Sequence, residues 1–158
     1  MKNRLIAICL LTLFLSFVSV AQTKPAWITT IEQQIKRGEK VWKIQKTNER
    51  GEQGSYQEDI VLKSGVYTAI IRITVYGIIT NPEETFNAEV RLFDQNIGRN
   101  VKKVKLENFD GEGFVWPRLN KQGWTVIKLR KNDIFIHVYA PTPTIAKRFT
   151  KYVTDNLP

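Results

Sequence analysis

Residues 66–79, VYTAIIRITVYGII, leave the chain few choices. The run is rich in β-branched and aromatic side chains, which fit the pleated surface of a sheet better than the crowded flank of a helix. Alternation assigns Tyr67, Ala69, Ile71, Ile73 and Val75 to one face, expected to be the core side, and Thr68, Ile70, Arg72 and Thr74 to the other. Such a strand needs partners for its backbone groups. Residues 59–63, followed by Ser64-Gly65, supply the first as the other arm of a hairpin. Residues 41–46 can be a further strand with Trp42 and Ile44 on one side. The stretch KTNERGEQGSY, residues 46–56, is polar and holds two glycines, so a mobile polar loop is expected there.

A second hairpin joins residues 124–130 to residues 134–139. Putting Ile127 and Leu129 on the core face with Ile134 and Ile136 pairs 129 with 134 and 127 with 136 around a Lys131-Asn132 turn. Residues 101–106 form a strand with Val104 and Leu106 inward and Lys103 and Lys105 outward. The ENFDGEGFVWP stretch turns into another short strand at residues 114–116.

Three segments have helical spacing instead. Trp27, Ile28, Ile31 and Ile35 share one helix face, with Gly38 placed to stop it. In residues 80–98, Asn81 can cap, Pro82 suits the first helical position, Glu83 and Glu84 favour the positive end, and Gly98 can close the far end. In residues 140–158, Thr142 caps, Pro143 follows, and Ile145, Phe149 and Val153 line one face. The fold expected is α+β: one domain, residues 22–158, with an antiparallel sheet of about six or seven strands and N-terminal, middle and C-terminal helices packed mainly on one face. Residues 101–157, with strands, an Asp-Gly turn, a hairpin and a capped helix after HVYAPTP, resemble small exported bacterial α+β domains of PsbP-like architecture. Such domains mostly bind or scaffold, so the resemblance implies a non-catalytic role and carries no functional residue across.

The N-terminus gives an address. Lys2 and Arg4 precede an uncharged run at residues 5–20, and Ser19-Val20-Ala21 has the small residues of a cleavage site, so a secretory signal peptide cut after Ala21 is expected. The apolar run has 16 residues, short of the ~20 that a spanning helix needs. Cleavage removes Cys9, the only cysteine, and with it any disulfide, thiol nucleophile or cysteine-bound metal. The formal charge falls from +9 to +7, because Lys2 and Arg4 leave. A periplasmic or extracellular protein with that surplus meets lipid headgroups, acidic glycans, peptidoglycan and nucleic acid.

Reactive side chains are scarce. There is no GxSxG, HExxH or Walker pattern, and no cofactor is expected. His137, the only histidine, shares a strand face with Trp124, Val126, Lys128, Arg130, Phe135 and Tyr139. Asp133, the nearest acid in sequence, would sit ~13 Å away and could not orient the imidazole. Aromatic rings beside cations suit an anionic or sugar-like ligand, so Trp124, Lys128, Arg130, Phe135, His137 and Tyr139 form the candidate binding face. Glu107, Asp110 and Glu112 could offer oxygens to calcium, although an Asp-Gly turn explains them more simply. The first functional expectation is a non-catalytic envelope domain that binds a partner protein or anionic ligand. Second is a hydrolase of envelope polymers built on carboxylates such as Glu58, Asp59, Asp110 and Glu112. Third is nucleic-acid binding through the basic surface, whose affinity would fall steeply with salt.

Overall fold

Alternation and end signals become the observed elements with few changes. The computed structural model describes residues 23–52, 54–97, 103–106, 109–117 and 123–158. They form α1 (Ala26–Gly38), β1 (Lys43–Glu52), β2 (Ser55–Ser64), β3 (Tyr67–Tyr76), α2 (Pro82–Ile97), β4 (Val104–Lys105), β5 (Glu112–Trp116), β6 (Thr125–Lys131), β7 (Ile134–Ala140) and α3 (Pro143–Thr154). The leader, its cut after Ala21, and Glu107 lie outside the described residues. Among the described residues, no helix is long and apolar enough to cross a membrane.

The seven strands make one antiparallel sheet in the order β1-β2-β3-β7-β6-β5-β4. Two meanders, β1–β3 and β4–β7, meet where Arg72 of β3 pairs with His137 of β7. To link them, α2 carries the chain from the sheet centre to its far edge, crossing one face. The capping expected at its start is present: Asn81 Oδ1 accepts from Glu84 N–H at 3.2 Å. On α3, Thr142 Oγ1 accepts from Ile145 N–H at 3.3 Å.

The helices divide between the faces. Ile28, Ile31 and Ile35 of α1 and Ala146, Phe149 and Val153 of α3 bury against Leu62, Ile71, Ile127, Leu129 and Ile136. Each fully buried aliphatic or phenyl side chain contributes about 1.5–3 kcal/mol, so this face holds most of the stability. Where the helices cross, a Cβ at Gly38 would lie 2.3 Å from Tyr152 Oη of α3, so a larger residue would push that hydroxyl aside. On the opposite face, Phe86 and Val90 of α2 bury against Trp116, Val126 and Phe135.

Three expectations are corrected. Residues 46–52 and 54–56 are strand and turn, since β1 runs alongside β2 from Lys43↔Lys63 to Glu52↔Ser55. An edge strand with polar side chains reads as loop because pairing, and not burial, holds it. The second hairpin slips by two residues: Leu129 pairs with Ile136 and Ile127 with Val138, leaving Asn132-Asp133 as the turn. Asn132 adopts φ 53°, a left-handed conformation that asparagine tolerates better than most residues. A slip of two leaves every side chain on its expected face. Finally, β4 is only two residues long, and Val104 is 56% exposed where burial was expected. It faces an open groove beside α3, as Leu106 does.

Candidate functional site

The aromatic and basic face assembles as the alternation implies, and α2 lies over it. Phe86 meets Phe135 edge-on at 5.4 Å, and Trp116 Nε1 donates to Asp94 of α2 at 2.6 Å. Beneath the helix, Lys128 is 3% exposed; its Nζ sits 3.2 Å from Glu89 Oε1 and 4.5 Å from the Phe93 ring centre. His137 is also buried, with Nε2 3.1 Å from the same Glu89 oxygen. That oxygen lies off the line of an Nε2–H bond, so the contact is electrostatic more than a formed hydrogen bond. Arg130 turns away to Glu112 at 2.9 Å. Tyr139 is half-buried and edge-on to His137, and Trp124 is half-buried just before β6. Beside the cluster, Arg72 makes a two-pronged bond to Asp59 at 2.7 and 2.9 Å.

These contacts set the protonation states. Burial pushes the His137 pKa down, with Lys128 and Arg72 adding repulsion and Glu89 opposing. Burial also lowers Lys128 against the pull of Glu89. Glu89 itself, despite the upward push of burial, is lowered to about 2 by His137 and Lys128. The imidazole does have a carboxylate partner, supplied by α2 and not by its own hairpin. Glu89 lies on the flank of the Phe86, Val90, Phe93 stripe, and that position was the sequence signal for it. The cations of this face are therefore answered from within the fold.

The carboxylates named from sequence do not converge. Glu58 and Asp59 are neighbours on β2 and point to opposite faces: Glu58 meets Lys24 and Tyr56, Asp59 meets Arg72. Glu112 is on β5, across β3, β7 and β6, about four strand spacings or ~19 Å from β2. Asp110 has its side chain 98% exposed, 3.7 Å from Lys131.

Another cluster was not foreseen. Lys24 Nζ bridges Glu32 Oε1 at 2.5 Å and Glu58 Oε1 at 2.8 Å, while Tyr56 O–H donates to Glu58 Oε2 at 2.6 Å. Glu58 is fully buried. Burial raises its pKa, and the neighbouring Glu32 carboxyl adds to that. Burial pushes Glu32 up too, but its hydrogen bonds to Glu58 and Lys24 outweigh this and leave it lowered. Of the two, Glu58 therefore keeps a proton to the higher pH. Burial and the Glu58 contact raise the Tyr56 pKa. Sealed by Lys24, this pair fastens the segment before α1 to the sheet.

Among the described residues, a groove lies open where α3 stops short of the sheet edge. It encloses about 600 Å³ and is lined by Val104, Lys105, Leu106, Val115, Pro117, Pro143 and Lys147. A smaller cleft of about 160 Å³ continues it past Phe109, Ile127 and Thr150. Leu106 and Lys147 border both, so Lys147 stands at the junction. Among the described residues neither Lys105 nor Lys147 has an ion-pair partner. Thr150 Oγ1, buried at the cleft wall, has no hydrogen-bond partner there either. The chain matches no protein-family model, no curated protein and no solved structure.

Proposed function

We propose that the protein is an exported, non-catalytic binding domain of the cell envelope, and that its ligand is an amphipathic anion held in the groove between β4, β5 and α3. The observation that carries this reading is the pairing of an apolar floor with an unanswered cation. Leu106, Val115 and Pro117 offer the floor, and Lys147 the charge. The volume of about 600 Å³ falls in the ~300–1,000 Å³ range of small-molecule sites. An acyl chain would lie on the floor with its carboxylate or phosphate at Lys147. The α2-covered face is a weaker candidate because Glu89 already neutralises Lys128. Export rests on the leader, and a binding role also agrees with the resemblance to PsbP-like domains.

Laurate, titrated by calorimetry against the protein, is the test. Lys147→Ala should weaken it about ten-fold, the cost of one charge-assisted contact, and leave decanol binding unchanged. A protein that does not bind laurate, or a variant that binds it as well as the parent, would refute the reading.

A further inference from the structure

At the end of the sheet where α1 finishes, the molecule presents apolar side chains to water. Val66 in the β2–β3 turn is 92% exposed, and Tyr67 beside it is 59% exposed. The turn is tight: Ser64 pairs with Tyr67, and Gly65 takes φ 56°. Val41, 65% exposed, belongs to the same tip. Lys43 pairs with Lys63, so the chain just before β1 runs alongside Gly65 and Val66.

Cations surround this knob. Lys40, Lys43 and Lys63 are exposed, as are Lys36 and Arg37 in the last turn of α1. Among the described residues none of the five has an ion-pair partner. The one carboxylate of residues 36–43, Glu39, is buried and held by Arg148 at 3.2 Å. The tip is thus apolar at its point and positive around it, with no exposed anion in that stretch.

We infer that this tip docks the protein on an anionic lipid bilayer. Val41, Val66 and Tyr67 enter the boundary between headgroups and acyl chains, and the five basic side chains face lipid phosphates. A knob of three side chains is too small for a stable protein interface, which needs ~800 Å² per partner. It does suit shallow insertion of ~5–10 Å, with tyrosine at headgroup level. Each basic residue near an anionic surface raises partitioning roughly five-fold. This inference is independent of the groove, which lies at the other edge of the sheet.

The test is co-sedimentation of the protein, purified after export with its N-terminus read by mass spectrometry, with phosphatidylcholine vesicles that contain or lack about a third phosphatidylglycerol. Binding should require phosphatidylglycerol and weaken at least ten-fold between about 50 and 500 mM salt. Val66→Asp should weaken it at least ten-fold, and the double variant Lys40→Glu, Lys63→Glu equally, with unchanged thermal melting. All these positions are exposed, so should one variant misfold the other decides. In Val66→Trp, indole emission should shift to the blue on adding phosphatidylglycerol vesicles. Absent sedimentation, variants that bind as the parent does, an unshifted indole, or full competition by inorganic phosphate would overturn the inference, the last by pointing to a soluble anion.

Discussion

The two faces of the sheet bury charge in opposite proportions. Under α2, Lys128 and His137 converge on one carboxylate, Glu89, with the Arg72–Asp59 pair alongside. Under α1, Glu32 and Glu58 converge on one ammonium, Lys24. Both clusters tie a helix, or the chain leading into it, to the strands. They differ in which protonation state suits the fold. The α2 cluster tolerates a neutral imidazole and needs an ionised Glu89. The α1 cluster favours the protonated form of Glu58, whose pKa burial raises.

The largest expected effect separates the two at once. Glu89→Ala leaves Lys128 buried without an anion and should cost about 3 kcal/mol at neutral pH, the low end for a broken buried pair because Glu89 is partly wet. Urea unfolding measures it. Lys24→Met should cost about 2 kcal/mol near pH 8 and distinctly less near pH 4, below the ordinary glutamate value, where Glu58 with its raised pKa is protonated. Equal losses at both pH values would mean that Lys24 does not govern the pair.

Stability against pH gives the next contrast. The His137 pKa is lowered, so its contribution is lost as pH falls below the ordinary imidazole value of 6.5. Glu89, lowered from 4.5 to about 2, contributes fully above 4.5 and loses that contribution as pH falls towards 2. After screening at this partly exposed carboxylate, roughly 1–2 kcal/mol is involved. The Glu58 pKa is raised, so its contribution is full below 4.5 and lost as pH rises through the raised value. Glu58→Gln keeps the protonated shape and should gain stability over the parent as pH rises through the raised value, the gain vanishing near pH 4. A pH-independent difference would sever Glu58 from this account. The smallest effect is Tyr56→Phe, about 1 kcal/mol for one buried hydrogen bond, again by urea unfolding.

Much of this architecture was legible because local signals agreed. Phe86, Ala88, Val90 and Leu92 also alternate as a strand would, but the Asn81-Pro82-Glu83-Glu84 opening marks a helix start, and the segment is α2. The second hairpin was misread by two residues and still gave the right faces, because alternation fixes sidedness and not registry. β1 was half missed: beyond Ile44 its side chains are mostly polar, and only the ladder to β2 makes it a strand. The candidate site was legible as a composition, with Lys128, Phe135 and His137 on one face. Its cover was not, since periodicity states which side of a helix is apolar but not which face of a sheet that helix will cross. The Lys24–Glu32–Glu58 contact and the groove both depend on long-range placement, which a single sequence does not encode locally.

The claim at the centre of this account is that ligands enter at the sheet edge and not beneath α2. Laurate titrated into isotopically labelled protein, followed by backbone amide NMR, tests it residue by residue. Saturable shifts are expected at Leu106, Val115, Lys147 and Thr150, with Glu89, Lys128 and His137 unmoved. Shifts confined to β6, β7 and α2 would contradict it.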